Sequence, residues 1–545
     1  MIRIESLKFR YAAGLPYVLN GVNLQVKKGE KILIAGRNGA GKTTLSKILS
    51  GLIPHVERKP YEGTYEYDGV PVRDIKYSEF VKKTAILLQD FEAQIVCTSV
   101  KEELIFYPMN LKTGYRESLA RAVRLASVFG MEALLPKDIH EMSGGEKQKT
   151  AFLSLLTAEP EFLILDEPLT DIDPATQDFV LEYLKNYKGT LVVFEQSVGY
   201  APYFDRLLIM DAGAIVSDAG AESASDEVLM EASGLLTPDI YRAAGCFVRD
   251  AQECSGVIRE KMSFDEKSYS SLAAGRVSAG GNIIEVKNLF YSYKDAPAGC
   301  LHNISLDIKK GDFITVAGEN GSGKTTLMKI IAGIYDDYTR GIITYKGRDI
   351  KTHPVLGSIG YVYQNPDSQI FADTVYDEIA FALRLKGADE KTVSEKTNAV
   401  METFGLSGKK DMDPFSLPKG DREKTACASI LVSSPEVVIL DEPTTGLDYL
   451  SLKGLMGTIK ALNNNGTTVI MITHSMETAA LYGRTLLALD RGSVAFYGDK
   501  RDFFRDEALV RSVKAARTGI MEITAALNSR LLLNMDEFDL CWRKK

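Results

Sequence analysis

The sequence predicts an α/β protein built as two tandem copies of one domain, each a mixed-sheet core carrying a phosphate-binding loop. Three observations carry this expectation. The chain repeats itself over long stretches: "GVNLQVKKGEKILIAGRNGAGKTTLSKILSG" (21–51) matches "NISLDIKKGDFITVAGENGSGKTTLMKIIAG" (303–333). In each copy an apolar strand ("KILIA", "FITVA") runs into a glycine-rich loop and then into a helix. Further on, each copy has a second apolar run that ends in Asp-Glu, "FLILDEP" (162–168) and "VVILDEP" (437–443). A repeat of this length makes two domains rather than a solenoid. The register is 282 residues between Lys42 and Lys324, and 275 both between Gln89 and Gln364 and between Asp166 and Asp441. The second copy is therefore shorter between the first and second landmarks and stays in register afterwards.

Length and composition bound the rest. The chain has 545 residues, 45% hydrophobic and 25% charged, as soluble multidomain proteins do. No run reaches the roughly 18–20 apolar residues that cross a bilayer. The opening "MIRIESLKFRYAAG" alternates like a strand and lacks a signal-peptide core, so a cytosolic protein is expected. The six cysteines, at 97, 246, 254, 300, 427 and 541, include no CxxC pair, so no zinc or iron–sulfur site is expected. The net charge of −8 argues against bulk nucleic-acid binding.

Copy one is placed at 1–222 and copy two at 282–500. Between them, 223–281 opens with a helical stretch, "DEVLMEASGLLTPDIYRAAG", and closes on the Ser/Gly/Ala-rich "RVSAGG", which reads as a linker. The tail, 501–545, reads as helix.

The loops "GRNGAGKT" (36–43) and "GENGSGKT" (318–325) both fit GxxxxGK[ST]. The backbone of Gly36, Arg37, Asn38, Gly39, Ala40 and Gly41, and of Gly318, Glu319, Asn320, Gly321, Ser322 and Gly323, curls around an anion at a helix N-terminus. Lys42 and Lys324 are expected to reach the β- and γ-phosphates of a nucleotide. Thr43 and Thr325 are expected to hold Mg²⁺, with Thr44 and Thr326 next to them on the helix. Asp166 and Asp441 hold the same ion through water. Glu167 and Glu442, one residue on, are placed to act as base or to orient water.

With these residues in place, the chain resembles the ATP-binding cassette (ABC) ATPases over nearly its whole length. The specific mark is "MSGGEKQKTAF" (142–152), similar to that family's signature loop, which belongs to a helical subdomain. The resemblance implies that Ser143, Gly144, Gly145 and Glu146 contact ATP. It implies that the two halves pair head to tail within one chain, each ATP lying between the Walker A loop of one half and the signature of the other. Gln89 and Gln364 match the Q-loop glutamines, which touch Mg²⁺ and a membrane partner. Tyr11 and Tyr293 match the aromatic that stacks on adenine. Asp173 and Asp448 match the D-loop aspartates, and His474 the switch histidine. A closer resemblance, to energy-coupling-factor importers of the vitamin and cobalt or nickel type, rests on "QNPDSQIFADTVYDEIAF" (364–381) and its worn copy "QDFEAQIVCTSVKEELIF" (89–106), with a second glutamine at Gln94 and Gln369.

The copies differ where chemistry is expected. His474 is replaced in copy one by Gln196, which donates a hydrogen bond but carries no charge and shuttles no proton. "LPKGDREKTA" (417–426) stands in copy two for "MSGGEKQKTA", so Ser143 becomes Pro418, with no N–H, and Gly144 becomes Lys419. With halves paired, both departures fall on the site of Lys42, Asp166, Glu167 and Gln196. That site is expected to hold ATP, and the site of Lys324, Asp441, Glu442 and His474 to hydrolyse it.

The leading expectation is thus the ATPase subunit of an importer at the cytoplasmic face of a membrane. A transmembrane coupling protein and a small substrate-binding membrane subunit complete it, ATP and Mg²⁺ are the cofactors, and nucleic acid is not a partner. The rival reading is a soluble tandem cassette acting on ribosomes or DNA. The acidic start of the linker, the missing cysteine-rich region and the short spacing between the loop and Asp-Glu motifs all speak against it. The cargo is not encoded in these residues.

Overall fold

The computed structural model describes residues 1–142, 144–169, 174–273, 280–293, 299–319, 321–338, 340–355, 357–445 and 447–545. The chain divides into two compact units, Met1–Arg249 and Asp250–Lys545.

In unit 1 a six-stranded sheet runs in the order Ala214–Ala219, Arg206–Asp211, Lys31–Ala35, Thr190–Glu195, Phe162–Asp166, Thr84–Leu87. All neighbours are parallel except the first pair. "FLILD" and "TLVVFE" are buried at every position, as strands covered on both faces must be. A second, antiparallel sheet joins Leu19–Val26, Ile2–Phe9, Glu62–Tyr67 and Val70–Pro71. Its strand Ile2–Phe9 alternates buried and exposed residues until a bulge between Ile4 and Leu7, where Ser6 takes φ 50°. Both sheets close on one core with the helix Lys42–Leu49.

Unit 2 repeats this plan. Its main sheet runs Ile359–Val362, Val437–Asp441, Thr468–Ile472, Phe313–Ala317, Thr485–Asp490, Ser493–Asp499. Its antiparallel sheet carries the same bulge, at Asn288 (φ 48°). Each unit adds a three-helix layer beside the sheet: Val100–Asn110, Tyr115–Val128 and Gly144–Leu156 in unit 1, and Val375–Leu385, Glu390–Thr403 and Lys419–Leu431 in unit 2. Ser99 and Thr374 cap the first helix of each layer, accepting from the N–H groups of Glu102 and Asp377.

The flanking stretches 223–273 and 501–545 have a definite structure, and residues 276–279 of the expected linker "RVSAGG" lie outside the described residues. Residues 223–249 stay with unit 1, where Met230 and Tyr241 are buried. Residues 250–273 join the tail in unit 2. Asp250 caps the helix Ala251–Lys261, which runs into the strand Met262–Phe264; Asn534 caps Met535–Cys541, which runs into Trp542–Lys544. The two strands pair antiparallel, with the rings of Phe264 and Trp542 5.4 Å apart. The tail is therefore helical with a closing strand. Its Phe503, Phe504, Met521 and Leu533 pack on Leu486 and Ala488 of the main sheet.

Candidate functional site

Each loop is built around glycines that a side chain cannot replace. Gly41 and Gly323 precede the helices Lys42–Leu49 and Lys324–Ile331 at φ 100° and 97°. A Cβ would lie 2.9 Å from Leu19 Cδ2 in the first and 2.6 Å from Leu301 Cδ2 in the second. The turn leaves backbone N–H groups at the helix start, where an anion is favoured. Lys42 Nζ donates to the Gly36 and Arg37 carbonyls at 2.6 and 3.2 Å, and Lys324 Nζ to those of Gly318 and Glu319 at 2.8 and 2.9 Å. Burial lowers the Lys324 pKa, and Glu442, Asp441 and Glu319 oppose it. Tyr11 and Tyr293 lie beside these helices, their hydroxyls 3.1 and 2.8 Å from those of Thr44 and Thr326. Lys59 rests over the Tyr11 ring at 4.7 Å.

Asp166 and Asp441 end their buried strands next to the loops. Ser46 donates to Asp166 Oδ2 at 2.9 Å, and the Ser46 and Thr43 hydroxyls both favour the ionised carboxylate. Burial nevertheless pushes Asp166 up to about 6. Its Oδ1 is buried with no hydrogen-bond donor, an arrangement that suits a cation. In unit 2, Thr325 donates to Asp441 Oδ1 at 3.2 Å and Tyr361 to Oδ2 at 2.7 Å. Burial raises Asp441 as well.

Glu167 and Glu442 both sit at φ 52°, a left-handed backbone that costs such residues of order 1–3 kcal/mol. Their N–H groups are held by the Phe194 and Ile472 carbonyls. In unit 2, Gln364 Nε2 donates to Glu442 Oε2 at 3.0 Å, and His474 Nε2 to Oε1 at 2.8 Å. Burial works to raise Glu442, but the His474 bond and charge, with Lys324, outweigh it and keep the carboxyl below its ordinary value. In unit 1, Gln89 Nε2 donates to Glu167 Oε2 at 3.1 Å and Gln196 Nε2 to Oε1 at 2.9 Å, with Lys42 3.8 Å away. Gln196 thus takes over the hydrogen bond of His474.

The signature residues Gly144, Gly145 and Glu146 begin the helix Gly144–Leu156, with Gly144 exposed. Pro418 stands just before the matching helix of unit 2, and Lys419, its first residue, is exposed. Ser143, Asp173 and Asn320 lie outside the described residues. Asp448 caps the helix Tyr449–Asn464. Gln94 braces its own loop, accepting from Leu88 N–H, whereas Gln369 also donates to the Ala426 carbonyl of the signature-position helix.

Four residues at these sites escape a reading of the motifs. Ser46 and Tyr361 supply hydroxyls to the aspartates from outside both patterns. Gln148 donates to the Pro168 carbonyl behind Glu167 at 3.1 Å; its only sequence signal is its place inside "MSGGEKQKTAF". Glu195, buried at the end of "TLVVFE", accepts from Leu169 N–H at 3.3 Å; burial, then neighbouring Glu167, push it up to about 8. The signal for it was a charge closing an apolar strand where copy two has Thr473.

Beside each Q-loop lies an exposed apolar face. Val96 and Phe106 form it in unit 1, with Met109; Phe371 and Phe381 form it in unit 2, with Leu385. Val96 and Phe371 are 61% and 60% exposed. Buried Glu103 and Glu378 fix the loops by accepting from paired backbone N–H groups, Val96 and Cys97 in one unit and Phe371 and Ala372 in the other.

Comparison with known proteins matches this geometry to a family. The ABC transporter family model matches residues 19–170 and 301–445. A protein of Caldanaerobacter subterraneus subsp. tengcongensis named as an ABC transporter ATP-binding protein is 36% identical, over 100% of this chain and 99% of its own. One of Methanosarcina acetivorans, named likewise, is 31% identical over 92% of this chain and 86% of its own. Among solved structures, cbiO1 from Clostridium perfringens, part of the ABC transporter complex cbiONQ, is 29% identical over 43% of this chain and 94% of its own, with a TM-score of 0.39. This chain belongs to the ABC transporter ATP-binding family and is an ATP-binding, ATP-hydrolysing protein with two cassettes in tandem.

Proposed function

We propose that this chain is the energy-coupling ATPase of a membrane importer of the energy-coupling-factor type, moving a vitamin, a metal ion or another small molecule. It rests at the cytoplasmic face, against a transmembrane coupling protein that works with a substrate-binding membrane subunit. The observation that carries this reading is the pair of matching apolar faces beside the Q-loops, Val96 with Phe106 and Phe371 with Phe381. Exposed aromatic and aliphatic side chains at equivalent places in two copies suit a partner that presents two apolar helical segments. In unit 1 this face adjoins a cavity of about 370 Å³ lined by Gln94, Glu103, Phe106 and Tyr107. Among the described residues no helix is long and apolar enough to cross a membrane, so the pathway belongs to other chains in this reading.

Within it the cassettes divide the work. Bound Mg²⁺ neutralises charge on the transferring phosphoryl group. The protein's own residues do the rest. Lys324 and the loop N–H groups hold the phosphates, Thr325 and Asp441 are the metal-side ligands, and Glu442, ionised at neutral pH, takes the proton of the attacking water. His474 donates to Glu442 through Nε2, which leaves Nδ1 for a phosphate oxygen when the ring is protonated. Gln196 donates to Glu167 through its amide nitrogen in the place of His474, but an amide neither carries charge nor shuttles a proton. Unit 1 therefore binds ATP through Lys42, Thr43, Asp166 and Gln89 and hydrolyses it slowly, while unit 2 sets turnover.

The test is a pull-down of the tagged chain from mildly solubilised membranes of its own cells. A multi-span membrane protein at near-equal amount is the expected result. Ribosomal proteins or DNA with no membrane partner would overturn the proposal.

A further inference from the structure

In unit 2 the tail reaches the phosphate loop. Val510, Val513 and Met521 share one core with Ala317, the residue directly before Gly318. Just after Val513 the chain closes the helix Glu507–Ser512: Lys514 N–H donates to the Arg511 carbonyl at 3.0 Å and Ala515 N–H to the Val510 carbonyl at 3.1 Å. Lys514 takes φ 53° in this turn, a left-handed backbone that glycine usually fills. A lysine here carries strain that glycine would not. What it adds is its ammonium, 2.5 Å from Oε1 of Glu319, the second residue of the loop. The Glu319 backbone carbonyl accepts from Lys324 Nζ at 2.9 Å, and the Glu319 charge acts on the Lys324 ammonium.

Unit 1 completes the same corner from within its own sheet. Arg37 gives its carbonyl to Lys42 at 3.2 Å and pairs its side chain with Asp211 at 2.8 Å. Asp211 follows Met210, whose carbonyl oxygen would lie 2.4 Å from a Cβ on Gly36. Unit 2 keeps this neighbour: the Leu489 carbonyl oxygen would lie 2.3 Å from a Cβ on Gly318, and the next residue is Asp490. With Glu319 where unit 1 has Arg37, the corner holds two carboxylates in place of an ion pair. Like charges beside an anion site repel each other and the phosphates. Lys514 is the cation that offsets them.

We propose that Lys514 is a positioning residue for nucleotide in unit 2: by neutralising Glu319 it keeps the phosphate loop open to ATP, which makes the tail part of the nucleotide site of unit 2, whereas unit 1 completes its own. The pair is exposed and adds little to stability; it sets the charge that an incoming triphosphate meets. This role holds whichever unit sets turnover.

The experiment is calorimetric titration of the full chain carrying K42A, which leaves the unit 2 loop as the tight site, with Mg-AMP-PNP. The parent is compared with K514G, K514N, K514R and K514G/E319Q. K514G and K514N, both suited to the left-handed backbone, are expected to raise Kd about three- to fivefold in low salt, the effect of one uncompensated charge within roughly 10 Å of a doubly negative nucleotide in water. The difference is expected to shrink below about twofold at about 0.5 M salt. K514R keeps the parent Kd, and E319Q added to K514G restores it. K514G should melt no lower than the parent, because glycine relieves the strained turn. A merely structural role for Lys514 would move the melting temperature and would not respond to E319Q. An unchanged Kd in K514G and K514N, or a loss that E319Q does not restore, overturns the proposal.

Discussion

Unit 1 and unit 2 each supply a hydroxyl to the buried aspartate that ends the strand beside the loop, and they bring it from different elements. In unit 1 Ser46 reaches Asp166 from the loop helix; the matching residue of unit 2 is Met328. In unit 2 Tyr361 reaches Asp441 from the neighbouring strand; the matching residue of unit 1 is Ile86. The two differences compensate, so a buried carboxylate keeps a donor in both units. The difference between His474 and Gln196 has no such compensation. The hydrogen bond to the glutamate survives, and an imidazole that can carry charge is exchanged for an amide that cannot. The comparison teaches that the scaffold of the site is held common to both units while the side chain that bonds the glutamate is not.

The strongest way to break that comparison is at the glutamates. E442Q should lower ATP hydrolysis by about 10²–10⁴-fold, the range of a general base, while E167Q keeps most of the rate. Equal losses in a phosphate-release assay would erase the functional distinction between the units.

A smaller effect sharpens it at Glu195. Its folded pKa, about 8, lies above the ordinary carboxyl value, so the native state keeps a proton that the unfolded chain has released. Stability from this group is full below the unfolded pKa and is lost as pH rises toward 8. E195Q should therefore raise the melting temperature over wild type at pH 8 and lose that advantage near pH 4, in melting curves at the two pH values. The same substitution at Thr473, T473Q, has no titrating carboxyl to replace and should give no such pH-dependent gain.

The smallest effect is at the second position of each loop. Arg37 pairs with Asp211 at 2.8 Å in unit 1, and Glu319 pairs with Lys514 of the tail at 2.5 Å in unit 2. The second pair is largely exposed on both sides, so K514A should shift stability by no more than about 0.5 kcal/mol in denaturant titration.

The sheet cores and both phosphate loops were legible in the sequence because their signals are local. A five-residue apolar strand, a glycine at positive φ and a lysine one residue on are contiguous, and their meaning does not depend on the rest of the fold. Ser46 and Tyr361 were not legible, since each gains its role from a strand far away in the chain. Glu423, in the helix Lys419–Leu431, stood one step from view: the register that exposes Pro418 and Lys419 also sets it against Gln148, but only the structure shows that it is buried. The strand pair Met262–Phe264 and Trp542–Lys544 was illegible for another reason. Three residues are too few for a period of two to declare itself, and the partner lies 278 residues away from Phe264.

That distance has a meaning in time. A ribosome adds about 5–20 residues per second, so the helix and strand of residues 251–264 wait roughly 15–60 s before Trp542 exists to pair with them. During that interval the whole second cassette is synthesised while an unpaired strand edge and the ring of Phe264 stay open. Closure of this ribbon is a late event in the birth of the molecule, and the interval before it is when a chaperone or a neighbouring nascent chain has its longest access to that edge.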